Sequence, residues 1–145
     1  MSEPAARRVG YAPGVFDLFH VGHLNLLRAA SERCDHLIAG VVSDELAHRN
    51  KGSRPVVPLE ERLAIVESIR YVDQAAVEDV PHKLEMWDRL RFDVIIKGDD
   101  WQGTDRGEKL ESDFRAVGVE VAYVSYTDRT SSTILRRALE KILDS

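Results

Sequence analysis

Two histidines stand three residues apart around a glycine in "GVFDLFHVGH", Gly14 to His23, just after a short apolar run. Imidazoles at the start of a helix lie at the positive end of its dipole, beside backbone N–H groups that lack intrahelical partners, where phosphate oxygens bind. His20 and His23 would there donate hydrogen bonds to a phosphate, and Gly22 would let that ligand approach the backbone. A zinc-binding pair is one competing chemistry, but no cysteine or third histidine lies nearby at ligand spacing. Ordinary packed histidines are the other, whereas phosphate donors would stand outside the core.

More chemistry-bearing residues follow. "IIKGDDW", 95–101, offers two adjacent carboxylates and an indole, suited to a magnesium ion, to ribose or polyol hydroxyls, or to a solvated turn. "TDRTSST", 127–133, gathers hydroxyls at a helix start, which makes an anion cradle as readily as a plain N-cap. Lys51 and Arg54 in "NKGSRP" are long cations on a polar stretch, able to close over a bound polyanion. Arg62 and Arg70 are about two helical turns apart, so both guanidinium groups could face one ligand. Surface ion pairs with Glu67 or Asp73 are the alternative for them.

These residues need elements to position them. Apolar runs at 9–12, 36–43, 75–79, 93–98 and 119–126 read as strands buried on both faces. Between them, 23–33, 59–72, 82–91 and 108–118 repeat apolar residues at i, i+3, i+4, and a last helix-period segment runs over 131–145. Such alternation predicts the α/β class: a Rossmann-like, doubly wound, mostly parallel five-stranded sheet with helices on both faces. Ligands bind such sheets beyond the carboxyl ends of the strands. The loops after the first, second, fourth and fifth strands carry the groups above. Arg49 to Pro58 reads as a mobile loop. The division expected is a short flexible N-terminus, 1–8, and one domain over 9–145.

The chain's 145 residues are enough to bury about two thirds of the unfolded surface. No apolar run approaches the roughly 20 residues of a membrane span, and "MSEPAARR" has no apolar stretch after it, so a cytoplasmic location without membrane contact is expected. A net charge of -5 argues against a nucleic-acid partner. Cys34, the single cysteine, reads as a small packed side chain.

The motifs together carry a family resemblance. "GVFDLFHVGH" resembles the Gly-x-Phe-Asp-x-x-His-x-Gly-His signature of the cytidylyltransferase branch of the HxGH nucleotidyltransferases, matching at every fixed position. "PLEERLAIVESIRYVD" is similar to the family's Glu-Arg…Arg-Tyr-Val-Asp helix, and "GDDW" to the same segment of glycerol-3-phosphate cytidylyltransferases. "DRTSSTILRR" resembles the Arg-Thr-x-x-Ile-Ser-Thr-Thr signature with a departure. Aligning Arg129 leaves two residues missing, while aligning Ser131 to Thr133 puts Arg129 where the family has glycine.

The resemblance implies CTP, Mg2+ and a small phosphate- or phosphonate-bearing substrate, whose oxygen attacks the α-phosphorus in line to release pyrophosphate and leave a CDP-linked product. It implies catalytic roles for His20, His23, Lys51 and Arg129, with no metal ligand assigned. It implies nucleotide contacts from Gly14, Val15, Phe16, Asp17, Gly22, Arg62, Arg70, Asp99, Ser131, Ser132 and Thr133, with Asp17 orienting backbone or the metal shell rather than acting as a base. Lys97, Asp100 and Trp101 fall to the acceptor. Glycerol-3-phosphate leads; phosphoethanolamine, phosphocholine and a hydroxyalkylphosphonate stay open, as do ATP as donor and a nucleotide-binding module without turnover. A homodimer is the assembly suggested.

Overall fold

The computed structural model describes residues 7–125 and 132–144. Arg129 and Ser131, given roles above, lie outside the described residues.

Side chains alternate between two apolar layers along the strands. On β1 (Val9–Gly14), Tyr11 enters one layer and Ala12 the other; on β2 (His36–Val42), Ile38 opposes Leu37 and Ala39; on β4 (Val94–Gly98), Ile95 opposes Val94 and Ile96. All are buried, so both faces of the sheet must be covered. α1 (Val21–Ser31) and α3 (Leu59–Glu67) cover one face with Leu26, Leu27, Ala30 and Val66. α4 (Lys83–Leu90) and α5 (Asp105–Arg115) cover the other with Met86, Leu110 and Phe114. Full burial of a side chain such as Leu27 or Phe114 contributes about 2 kcal/mol.

With β3 (Gln74–Glu78) and β5 (Glu120–Val124) the sheet has five strands in the order β3-β2-β1-β4-β5. Every pairing is parallel, with Tyr11 opposite both Ile38 and Ile95. The Rossmann-like class expected from the alternation is therefore the fold found, and the sheet is parallel throughout. The winding reverses between β1 and β4, so a crevice opens beyond Gly14 and Gly98. At the opposite end the strands are pinned: Asp35, Asp73 and Asp93 accept from the backbone N–H groups of Arg8, Leu37 and Val9 at 2.8, 2.8 and 2.9 Å. Asp73 is thus held by a strand rather than by Arg70.

Two elements differ from expectation. The polar stretch after β2 contains a helix, α2 (Asp44–Lys51). The Ser43 side chain caps it by accepting from the Leu46 N–H at 3.2 Å, Asp44 and Glu45 occupy its first turn, and Gly52 ends it at φ 82°, a conformation glycine adopts freely. α3 ends at Glu67 instead of running on to Val72. The last helix, α6 (Ser132–Leu143), follows the segment outside the described residues. Among the described residues no helix is long and apolar enough to cross a membrane.

Candidate active site

The β1–α1 loop is held tightly. Phe16 and Leu18 take left-handed backbone angles, φ 55° and 51°, uncommon for residues with a Cβ and costing about 1 kcal/mol each. Phe16 is buried, and Asp17, 5% exposed, accepts from the backbone N–H groups of Val56 and Val57 at 2.8 and 2.9 Å. Both carboxylate oxygens of Asp17 therefore orient backbone, and they tie Val56 and Val57, in the stretch read as mobile, to this loop. The Asp17 carbonyl in turn accepts from the Ser132 hydroxyl, bringing the start of α6 beside α1.

His20 and His23 form the N-terminal cap of α1. The His20 Nδ1 accepts from the Gly22 N–H at 3.0 Å, and the His23 Nδ1 accepts from the His20 N–H at 3.2 Å. An Nδ1 that accepts carries no proton, so each neutral ring bears its hydrogen on Nε2. The rings lie 4.1 Å apart between centroids. His23 is buried against Phe16 and Phe19, contrary to the expectation that neither ring enters the core. That burial, with the charges of His20 and Lys51 adding and Asp17 opposing, lowers its pKa to about 4; burial lowers that of His20 as well. Both rings are thus neutral Nε2–H donors at neutral pH. The His20 Nε2 is itself buried and has no partner among the described residues.

A cleft of about 650 Å³ opens from these rings across the carboxyl ends of the strands. Of the residues anticipated, Gly14, Val15, Phe16, Asp17, His23, Lys51, Lys97, Asp100, Trp101, Ser132 and Thr133 line it. His20 adjoins through His23, while Gly22, inside α1, and Asp99, on an exposed 3-10 turn, do not line it. Lys51 is the last residue of α2, and partial desolvation at the cleft together with the charges of Arg136 and Arg106 lowers its ammonium pKa, although the residue is exposed. Its rival Arg54 pairs with Glu45 at 3.2 Å outside the cleft.

The two arginines are corrections. Arg62 is 1% exposed: its Nε donates to the Val57 carbonyl at 2.8 Å, one terminal nitrogen to the Val15 and Val42 carbonyls at 2.7 and 2.8 Å, and the other to Asp44 at 2.6 Å. Four of its five N–H donors bind the scaffold beside the cleft. Arg70 lies past the end of α3, near the start of β3 at the pinned end of the sheet, exposed and touching the Tyr71 hydroxyl. The two do not share a helix face.

The sequence reading passed over the loop after β3. Glu78, 2% exposed, accepts from the Tyr11 hydroxyl at 2.7 Å and from the Lys83 ammonium at 2.9 Å, and Pro81, His82 and Lys83 line the cleft with it. Burial and nearby Lys83 bring the Lys97 pKa down to about 7, against the pull of Asp100 and Glu78. In all, Lys51, Lys83, Lys97, Arg106, Lys109 and Arg136 face Asp17, Glu78, Asp100 and Asp113, a local positive excess on a chain of charge -5. Such a cleft attracts polyanions, and its neutral imidazoles can donate to phosphoryl oxygens.

Known proteins share this chain's sequence and fold. The profile of the family described as "Cytidylyltransferase-like" matches residues 11–138. The chain is 36% identical over 138 residues to a FAD synthase of Pyrococcus abyssi, covering 90% of this chain and 92% of that one. It is 42% identical over 96 residues to an ethanolamine-phosphate cytidylyltransferase of Arabidopsis thaliana, with 62% of this chain but only 22% of the relative covered. A lipopolysaccharide core biosynthesis protein of Thermoplasma volcanium superposes with a TM-score of 0.74 at 29% identity, covering 85% of this chain and all of that one. The chain belongs to the cytidylyltransferase-like family of nucleotidyltransferases.

Proposed function

We propose that the protein transfers CMP from CTP to a small phosphate- or phosphonate-bearing alcohol, with glycerol-3-phosphate as the lead acceptor. The observation that carries the reading is the histidine pair: two rings whose Nδ1 atoms are spent on backbone N–H groups and whose Nε2–H groups are left to donate, beside a cleft rich in cations. An acceptor phosphate oxygen attacks the α-phosphorus; the bond to the bridging oxygen breaks and pyrophosphate leaves with the electron pair. The attacking phosphate is already ionised, so no general base is required. His20 and His23 donate to oxygens where negative charge grows, Lys51 meets the triphosphate, and the start of α6 adds the Thr133 hydroxyl and backbone N–H donors, the Ser132 hydroxyl being held by the Asp17 carbonyl.

Magnesium is the cofactor the resemblance implies. Among the described residues no three metal-binding side chains cluster, and Asp17 has both oxygens on backbone N–H groups; Asp100 remains as a cleft carboxylate. That donor set fits an ion held mostly by phosphate oxygens and water, where it would neutralise charge on the leaving pyrophosphate.

Pyrophosphate release with CTP or ATP and a panel of glycerol-3-phosphate, phosphoethanolamine, phosphocholine and a hydroxyalkylphosphonate tests the reading. Turnover with CTP and one acceptor supports it. Turnover with ATP alone moves the protein to adenylyl transfer, which the near full-length similarity to a FAD synthase favours as the second reading. Tight nucleotide binding with no pyrophosphate from any acceptor leaves a binding module.

A further inference from the structure

Resting on the nucleotidyl-transfer reading, we propose that Lys97 and Lys83, gathered around Trp101, bind the acceptor's anionic group and reject acceptors whose other end carries an ammonium, so that the substrate's remainder is an uncharged hydroxylated group. An indole face in a cleft is ordinarily a seat for a cationic ligand. Here the protein's own cations already surround it. The Lys97 ammonium sits 4.1 Å from the ring centroid, the Arg106 guanidinium 5.7 Å and the Lys83 ammonium 5.9 Å. With the acceptor's anionic group on these cations, a choline- or ethanolamine-type ammonium two carbons away stays within reach of the like charges of Lys97 and Arg106.

The arrangement is built from three strands. Tyr11 on β1 passes beneath β2 to reach Glu78 at the end of β3, a path open only because position 40 is glycine: a Cβ there would lie 2.1 Å from the Tyr11 hydroxyl oxygen. Glu78, held by that hydroxyl, fixes Lys83 at 2.9 Å. The buried Glu78 carboxylate offsets the charge of Lys83, and an anionic group beside Lys97 would hold that ammonium protonated although burial and Lys83 bring its pKa down to about 7. An anionic phosphate or phosphonate supplies the opposite charge, and a glycerol-like remainder adds none of its own.

The test compares wild type with Lys97→Met, using glycerol-3-phosphate and phosphoethanolamine in turnover, and calorimetric binding of each to protein saturated with a non-hydrolysable CTP analogue. Wild type is expected to favour glycerol-3-phosphate by about 100-fold in kcat/KM. Lys97→Met is expected to weaken glycerol-3-phosphate by about tenfold or more while the affinity for the CTP analogue and the melting temperature stay unchanged. Glu78→Gln should loosen the same acceptor through Lys83. Equal use of phosphoethanolamine by the wild type, or loss of nucleotide affinity rather than acceptor affinity in Lys97→Met, overturns the proposal. Absence of turnover with every acceptor removes the nucleotidyl-transfer reading; calorimetry then still decides this proposal, which fails if glycerol-3-phosphate does not bind wild type or binds the variant equally well.

Discussion

Arg62 provides the sharpest test of the structure, because its sequence context points to a ligand contact and its surroundings to a scaffold clamp. Its guanidinium donates to three backbone carbonyls, those of Val15, Val42 and Val57, and to the Asp44 carboxylate. Arg62→Ala removes a donor from all four acceptors in a site where Arg62 itself is 1% exposed, although Asp44 keeps the Leu59 N–H. Taking roughly 1 kcal/mol for each lost hydrogen bond gives a loss of about 4 kcal/mol, a large share of a typical domain's stability of about 5–15 kcal/mol. Arg62→Lys keeps the charge toward Asp44 but loses the planar fork, so about half that loss, roughly 2 kcal/mol, is expected. In urea, with a slope of about 1–2 kcal/mol/M, this lowers the midpoint by about 1–2 M. Nucleotide affinity of Arg62→Lys, measured by calorimetry where the variant is fully folded, should stay within about threefold of wild type. A variant with an unchanged midpoint whose nucleotide affinity falls tenfold or more would refute the clamp and restore the phosphate contact.

Other residues separate catalysis from folding in different ways. His20→Ala should cut turnover by about 100-fold or more through loss of its unpartnered Nε2–H, and should cost only about 1 kcal/mol of stability through loss of the cap on the Gly22 N–H; His23→Ala should lose both turnover and more stability, because its ring packs between Phe16 and Phe19. The low pKa of His23 also makes folding sensitive to acid: the unfolded ring takes up its proton near pH 6.5 and the folded ring near pH 4, so stability is full above about pH 6.5 and is lost as pH falls to about 4. The full loss is about 3 kcal/mol, and urea titrations across that window that show no decline from this site would contradict the buried neutral ring. Lys51→Ala should raise the KM for nucleotide by about tenfold without destabilising the protein, since Arg106 and Arg136 already crowd that charge; a drop in melting temperature would show a structural role instead. Asp17→Asn should speed hydrogen exchange at Val56 or Val57, because the two N–H groups donate to different carboxylate oxygens and the NH2 that replaces one of them cannot accept; unchanged protection there would break the proposed tie between the loops.

What could be read in advance divides by the range of the interactions. The place of the histidines at the start of α1 was legible because a local motif encodes it, three residues separating His20 from His23; that they also cap the helix through their Nδ1 atoms came from the structure. α2 carried the same kind of signal in Ser43 and Gly52, yet only Leu46 and Ala47 on it are buried, so an apolar period was too thin to mark the helix. Arg62 was misread because its acceptors come from segments 47 and 20 residues away as well as from Val57, and nothing near it in the chain distinguishes a buried arginine from an exposed one. Glu78 and Lys83 were passed over for the same reason. Their loop has no motif of its own, and Glu78 is given its place by Tyr11, 67 residues away, through the missing side chain of Gly40. The same distinction bears on function. The reaction class rests on residues close together in sequence, whereas the acceptor side proposed above draws on β1, β3 and β4 and becomes visible only when the sheet brings them together. Substitutions at Gly40 should therefore disturb acceptor selection through Glu78 and Lys83 while leaving the histidine cap of α1 in place, because the cap's hydrogen bonds do not pass through β2.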